Sequence, residues 1–308
     1  MTIAVFGSIN VDVTAYSRLL PVPGETIHGE SYVLGLGGKG ANQAVAVARL
    51  EAALSLVGRV GRDPFGQLAR AELERFGVRT SGIAEDGTTG TGIAIIAVDS
   101  SAQNCITVIA GANFKVGADD VDRLAAVLGA VEVLLLQLEV PLAPNIAAAR
   151  LARSRGGSVI LDPAPAPLSP LPDALLECVD VITPNEVECE ALTGIRPAGI
   201  GEARDAAMVL RARGIGRVVV KMGAKGAFWL GSEGEGHVPG FAVEALDTVG
   251  AGDCFNGGLA VALAGGQTFG EAVRFASACG ALSTTRRGAA AAAPSLAEVA
   301  ALLARDHS

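Results

Sequence analysis

Asp247-Thr248-Val249-Gly250-Ala251-Gly252-Asp253 joins an extended segment, Val243 to Leu246, to a long apolar helical pattern, Cys254 to Ala264. Two glycines at a strand-to-helix turn free several backbone N–H groups. A helix starting near Ala251 aims those groups, and the positive end of its dipole, at one spot. That spot is a seat for an anion. Asp253 falls in the first turn of the same helix. Acidic residues are common there, yet a carboxylate beside a bound anion is repelled by it. A chemical reason for the placement is a base that takes a proton from a hydroxyl as the hydroxyl attacks the anion. We expect Asp253 to be exposed to a cleft.

Working outward, the chain before this turn alternates regularly. Helical patterns at Asp119 to Leu128 and Leu142 to Arg155 precede apolar runs at Val131 to Leu136 and Ser158 to Leu161. Two more runs, near Val179 to Ile182 and Arg217 to Val220, follow with helices between. Alternating β and α units with continuously apolar strands predict a parallel sheet covered on both faces. Such sheets bind ligands at the carboxyl ends of their strands. The polar residues there are Asn10, Asp12, Glu139, Asp162, Asn185 with Glu188, Lys221 and Asp253. Beyond the turn the pattern stays helical, at Ala251 to Ala264, Gly270 to Thr285 and Leu296 to Arg305, broken by Gly288, five alanines and Pro294.

The first strand is Ile3 to Phe6, with Asn10-Val11-Asp12 after it. Two polar side chains one residue apart on an extended segment point the same way, as neighbouring groups of a polyol would require. Gly35-Leu-Gly37-Gly38-Lys39-Gly40-Ala41-Asn42-Gln43 opens an Ala/Val-rich helix to Leu50. It is not a phosphate-binding Walker loop. Val33 stands where that motif needs glycine, and Gly40 where it needs Ser or Thr. What remains is a close backbone approach to something small, with Lys39 and Asn42 as donors. Asp63 caps a helix that begins at Pro64. The β-rich runs Val11 to Tyr16, Tyr32 to Leu34, Thr91 to Val98 and Asn104 to Ile109 predict a small separate sheet acting as a lid. No second domain boundary is apparent, so residues 1–308 read as one domain, with lid segments at about 12–35 and 91–110.

Composition removes several classes. Half of the 308 residues are hydrophobic, 18% are charged, and the net charge is −8. That is globular, with no basic field for nucleic acid. No apolar run reaches 18 residues, so no spanning helix is expected. Five scattered cysteines (105, 178, 189, 254, 279) and three unclustered histidines argue against a disulfide framework or structural zinc. With a strand-like N-terminus in place of a signal peptide, a cytoplasmic location is expected.

Six segments in this order resemble the ribokinase/phosphofructokinase-B carbohydrate kinase family over essentially the whole chain. They are Gly7-Ser-Ile-Asn10-Val-Asp12, Gly37-Gly-Lys-Gly-Ala-Asn42-Gln, Gln137-Leu-Glu139, Asp162-Pro-Ala-Pro-Ala, Thr183-Pro-Asn185-Glu-Val-Glu188, and Asp247-Thr-Val-Gly-Ala-Gly-Asp253. The resemblance implies a three-layer α/β/α sandwich with a mostly parallel central sheet and a small β-sheet lid. It implies ATP-dependent phosphorylation of a sugar, D-ribose at O5 before 2-deoxyribose, fructose, ketodeoxygluconate or a nucleoside. Asp253 would be the base, with the Gly250, Ala251 and Gly252 amides as anion hole. Asn10, Asp12, Gly38, Lys39, Gly40, Ala41, Asn42 and Glu139 would bind the sugar. Asn185, Lys221, Gly223, Ala224, Lys225, Gly226, Gly252 and Ser277 would bind ATP, with Glu188 acting on Mg2+ through water. An activating K+ would sit at Asp247, Val249, Ser283, Arg286, Gly288 and Ala292. A homodimer through the lid is also implied. A sugar-binding protein without catalysis would predict a damaged Asp253 or anion hole, and both are intact.

Three positions depart from the family pattern. Lys221 replaces a usual Thr or Ser, Ala289 to Ala293 replaces a Gln-Pro-Ser-containing segment, and Asp162 replaces a common Asn before Pro163.

Overall fold

The computed structural model describes residues 2–101, 103–128 and 133–305. The chain begins β1 (Thr2–Phe6), β2 (Asn10–Tyr16), β3 (Ser31–Gly37), α1 (Lys39–Arg49), β4 (Ala53–Gly61), α2 (Pro64–Arg75), β5 (Ile83–Asp86), β6 (Gly92–Val98) and β7 (Asn104–Ile109). It continues α3 (Ala118–Val127), β8 (Val133–Leu136), α4 (Leu142–Ser154), β9 (Ser158–Leu161), α5 (Asp173–Leu176), β10 (Val181–Ile182), α6 (Glu186–Thr193) and α7 (Ile200–Ala212). It ends β11 (Arg217–Lys221), β12 (Ala227–Gly231), β13 (Gly234–Val238), α8 (Ala251–Ala264), α9 (Phe269–Ser283) and α10 (Leu296–Arg305).

Nine strands form the central sheet in the order β13-β12-β11-β10-β9-β8-β1-β4-β5. It is parallel from β5 to β11, and only β12 and β13 run antiparallel at one edge. The apolar runs have the physical reason expected of them. On β1, Ile3 and Val5 face one core and Ala4 and Phe6 the other. On β8, Val133 and Leu135 divide from Leu134 and Leu136 in the same way. A strand wet on neither face has no use for alternation. One core packs beneath α1, α2, α8, α9 and α10, with Val45, Leu73, Leu259, Val273 and Val299. The other packs beneath α3, α4 and α7, with Leu124, Ala148 and Leu210. The result is three layers, α/β/α. Asp63 caps α2 through Gly66 N, with Pro64 at the first helical position.

A second sheet stands apart, in the order β3-β2-β6-β7. β2 pairs antiparallel to β3 and parallel to β6, and β7 closes the hairpin on β6. β2 leaves the central sheet three residues after β1 ends, so Asn10 and Asp12 sit where the two sheets meet.

Three expectations need correction or narrowing. Val243 to Leu246 forms no strand. Its end is satisfied instead by the C-terminus of α9, because Leu246 N and Asp247 N both donate to Thr284 O, at 2.7 and 3.1 Å. The β12–β13 hairpin supplies the edge of the sheet beyond β11. Of the run expected at Val131 to Leu136, Val131 and Glu132 lie outside the described residues, as does Ala102 of the 99–103 connection.

Candidate active site

Two helix N-termini converge at one buried carboxylate. Asp253, on the first turn of α8, is 5% exposed, so the expectation of an open, cleft-exposed base is wrong. The reason is that α1 packs its own first turn against α8. Asn42 Nδ2 donates to Asp253 Oδ2 at 3.0 Å, and Gln43 Nε2 donates to Oδ1 at 3.1 Å. Gln43 Nε2 also donates to Asp162 Oδ2 at 3.1 Å, and Gln43 Oε1 accepts from Gln137 Nε2 at 2.7 Å. The carboxylate is therefore fixed on both oxygens. Burial pushes its pKa above the ordinary carboxylate value; the Lys39 charge opposes this, Asp162 adds to it, and the two amide donors oppose it.

Gly250 caps α8 in the left-handed region, at φ 76°. Cys254 N already donates to Gly250 O, and Ala251 N closes a turn on Thr248 O at 3.3 Å. Among the described residues the Gly250 and Gly252 amides meet no acceptor. Two orphan donors at a helix N-terminus are an anion seat. Ala251, expected in the same seat, already has a partner.

The polar strand ends gather beside this point. Glu139 Oε2 accepts from Ser8 Oγ at 2.5 Å and from Lys39 N at 2.9 Å. Asn10 Oδ1 accepts from Asn113 Nδ2 at 2.7 Å, and among the described residues the Asn10 NH2 group has no partner. Asn42 Oδ1 is buried, and no donor among the described residues reaches it. A buried unmatched acceptor costs free energy, and a ligand hydroxyl would remove that cost. Asp12 is pushed up to about 6 by burial, then by Glu139 and Asp253. Burial lowers the Lys39 pKa, but Asp253, Asp162, Glu139 and Glu188 together outweigh it and hold the ammonium charged. Gly40 lets α1 lie this close to β1: a Cβ there would stand 2.7 Å from the Ser8 backbone.

A cleft of about 560 Å³ opens on the other side of α8. Asn185, Lys221, Gly223, Ala224, Gly226 and Gly252 line it, and so does Ser277. The Ser277 hydroxyl itself donates back to Val273 O at 2.8 Å. Lys225 is turned away, with Nζ on Ala198 O at 2.7 Å. The irregular segment that replaces the expected strand contributes Val243 and Ala245 to the cleft wall. Asn185 and Glu188 form a capping box at the start of α6, with Glu188 Oε2 accepting from Asn185 N at 2.8 Å and Oε1 from Asn185 Nδ2 at 2.9 Å. Burial raises the Glu188 pKa, while Lys221 opposes it. Asp247 ties two loops together, accepting from Val249 N at 3.0 Å and Gly288 N at 2.9 Å.

Sequence reading left Gln43, Gln137, Ser8 and Asn113 without roles. Each is a neutral side chain whose partner lies far along the chain, so no local spacing marks it.

The sequence profile described as pfkB family carbohydrate kinase matches residues 2–296. The chain is 40% identical over 294 residues to a ribokinase of Haemophilus influenzae, covering 95% of each chain. It is 38% identical over 296 residues to a deoxyribokinase of Salmonella typhimurium, covering 96% of each. Its fold matches the structure of Arabidopsis thaliana ribokinase complexed with ribose and ATP at a TM-score of 0.90 and 32% identity, over 98% of each chain. The chain belongs to the pfkB family of carbohydrate kinases. A pfkB kinase must bring a sugar hydroxyl and a nucleotide phosphate together, and here the first turn of α8 borders both places: Gly252 lines the cleft, and Asp253 meets Asn42 and Gln43 of the polar pocket. The central sheet and separate small sheet agree with the fold that the family resemblance implied.

Among the described residues no three acidic, thiol or imidazole side chains converge as a metal cage. Magnesium fits such a site in another way, because it keeps several waters and binds chiefly through substrate phosphates. Glu188, fixed by Asn185 of the cleft wall, is suited to hold such waters. The Asp247 loops, with a carboxylate beside the carbonyl-rich end of α9, are a hard oxygen donor set that suits an alkali cation.

Proposed function

We propose that this protein transfers the γ-phosphoryl group of ATP to O5 of D-ribose, giving D-ribose 5-phosphate and ADP. The observation that carries this reading is the buried Asp253 carboxylate, held by Asn42 and Gln43 beside the unpartnered Gly250 and Gly252 amides. In it, Asn10, Asp12, Asn42 and Glu139, with the Gly38 to Ala41 backbone and Lys39, hold the sugar hydroxyls. Asp253 takes the O5 proton as O5 attacks the γ-phosphorus. The bond to the bridging oxygen breaks, and ADP leaves with the electron pair. The Gly250 and Gly252 amides receive the charge on the phosphoryl oxygens, where positioned donors lower the barrier most.

Mg2+ would be held by the ATP phosphates and, through water, by Glu188, and would neutralise phosphate charge. K+ would be held at Asp247, Val249, Ser283, Arg286, Gly288 and Ala292, and would fix the loop that carries the anion seat. Ala292 offers only its carbonyl, so the site rests on backbone oxygens.

The test is an ADP-release assay over ribose, 2-deoxyribose, fructose, ketodeoxygluconate and adenosine, each in potassium and in sodium. Ribose is expected to have the highest kcat/KM, and sodium to lower the rate severalfold. The similarity to a deoxyribokinase favours 2-deoxyribose as the second reading. A preference for it would leave the Asp253 chemistry standing and reassign the sugar pocket. Equal rates in the two ions would remove the cation site.

The small sheet serves as a lid in this reading, excluding water from the phosphoryl. Val33, Ile106 and Val108 on it are each more than half exposed. Val33, Thr14, Ile96 and Ile106 stand side by side across its four strands. Exposed apolar side chains on a sheet edge and face of this kind suit a second copy, so we expect a homodimer through the lid. Sedimentation at micromolar concentration is expected to give a dimer, and Ile106→Asp a monomer; a parent that sediments as a monomer would refute the contact. No helix among the described residues is long and apolar enough to cross a membrane. The five free cysteines suit a reducing cytoplasm.

A further inference from the structure

Two of the departures from the family pattern meet in space. Lys221 Nζ lies 3.0 Å from Asp162 Oδ1, with the two side chains 15% and 1% exposed. The residues are 59 positions apart, one ending β11 and the other following β9. Neither charge has this partner if the other position carries a neutral residue. Among the residues that line the cleft, Lys221 is the one cation. The point a Cβ on Gly252 would occupy is 3.5 Å from Lys221 Nζ. Its ammonium therefore stands between Asp162 and the anion seat, within a side-chain rotation of either.

The site needs mobile positive charge. Asp12, Glu139, Asp162, Glu188 and Asp253 set five carboxylates around two ammonium groups, Lys39 and Lys221. A polyphosphate entering that surrounding is repelled unless a cation turns to meet it. Lys39 is committed among four carboxylates, with Asp253, Asp162, Glu139 and Glu188 all acting on it. Lys221 sits on a flexible four-carbon stem. Asp162 keeps the Gln43 Nε2 donor at 3.1 Å if Lys221 leaves, so it is not stranded.

We propose that Lys221 is a catalytic residue of phosphoryl transfer, parked on Asp162 in the free enzyme and exchanged onto the transferring phosphoryl group when the nucleotide binds. As the γ-phosphorus bond to O5 forms and the bond to the ADP oxygen breaks, the ammonium follows the charge on the phosphoryl oxygens. The proton still goes to Asp253. Asp162 thus does two tasks: it stores the cation at rest, and through Gln43 it shares a donor with the base.

This inference rests on the nucleotide reading of the cleft, and its test does not need the sugar. Calorimetry compares AMP-PNP with ADP, each with magnesium, for the parent, for Lys221→Met, and for Lys221→Met combined with Asp162→Asn. The double variant removes both charges together, so no buried charge is left alone to unfold the protein. In both variants the ratio of AMP-PNP to ADP affinity is expected to fall about tenfold. With any sugar the parent turns over, kcat is expected to fall about 10²-fold, the scale of losing one oxyanion donor, while the sugar KM stays within twofold. An unchanged affinity ratio in the folded double variant overturns the proposal and leaves the pair a static structural contact. A parent that binds nucleotide but phosphorylates no sugar on the panel sinks the ribose reading alone, because the affinity ratio still decides this one.

Discussion

Asp253→Asn lowers kcat by a factor of about 10² to 10⁴, the usual contribution of a positioned base, and leaves the protein folded. The substitution keeps the side-chain shape in a pocket where Asp253 is 5% exposed. It removes one of the two acceptor oxygens on which the amide donors converge. Asn42 Nδ2 and Gln43 Nε2 each meet one oxygen of Asp253, so the asparagine NH2 either faces one of them donor to donor or makes Asn42 flip its amide and strand its own NH2. That conflict costs about 1–3 kcal/mol. It is offset in part because a buried charge, already costly enough to raise the Asp253 pKa, is gone.

The sign of the pH effect follows from the same group. A carboxylate with a raised pKa is ionised only above its raised value. The acid limb of kcat/KM in the parent is therefore expected at a higher pH than an ordinary carboxylate of about 4 would give, and activity is lost as pH falls through it. In Asp253→Asn this limb disappears with the rate. Steady-state kinetics from pH 5 to 9, with a melting curve for each protein, check both parts. A variant at the parental rate would move the base elsewhere, and Asp12, pushed up to about 6, is the carboxylate to substitute next.

Gly250→Ala is expected to damage both the anion seat and the loop behind it. Gly250 holds φ 76°, which costs a residue with a Cβ about 1–2 kcal/mol. The added Cβ would also stand 2.8 Å from Ala289 Cα. That atom is backbone and cannot swing aside, so either the α8 cap or the 288–293 loop must move. Moving the cap misaims the Gly250 and Gly252 amides. The expected loss in kcat is about 10² to 10³, as for removal of an oxyanion donor. Moving the loop pulls Gly288 N from Asp247 Oδ2, now 2.9 Å apart, so the potassium concentration for half-activation should rise together with the loss in rate. The melting temperature should fall by several degrees. Parental kcat and melting temperature in this variant would mean that the loop yields freely and that the amides are not the charge-stabilising element.

Much of this molecule was written locally. The β/α alternation, the Asp63–Pro64 helix start, the turn at 250–253 and the polar strand ends each depend on neighbours within a few residues, where side-chain periodicity and capping act. The chain order of strands and helices followed from them, and so did the parallel sheet, since buried parallel strands have no wet face to encode. Asp253 was identifiable as a base candidate because a carboxylate and an anion seat share one helical turn.

What the chain could not show by itself were burial and partnership. Asp253 was expected in the open and is enclosed, because the turn of α1 that covers it lies 210 positions earlier. Gln43 joins Asp162 to Asp253 across 119 and 210 positions, and neutral amides leave no periodic or charge signature. Val243 to Leu246 has strand composition, yet a strand needs a neighbour, and the amide at its end, Leu246 N, bonds to the C-terminus of α9 instead. Lys221 and Asp162 each looked like an isolated departure from a pattern. Only the parallel sheet, which sets the ends of β9 and β11 side by side across β10, makes them one ion pair: a Coulomb contact depends on distance in space, which sequence separation does not encode.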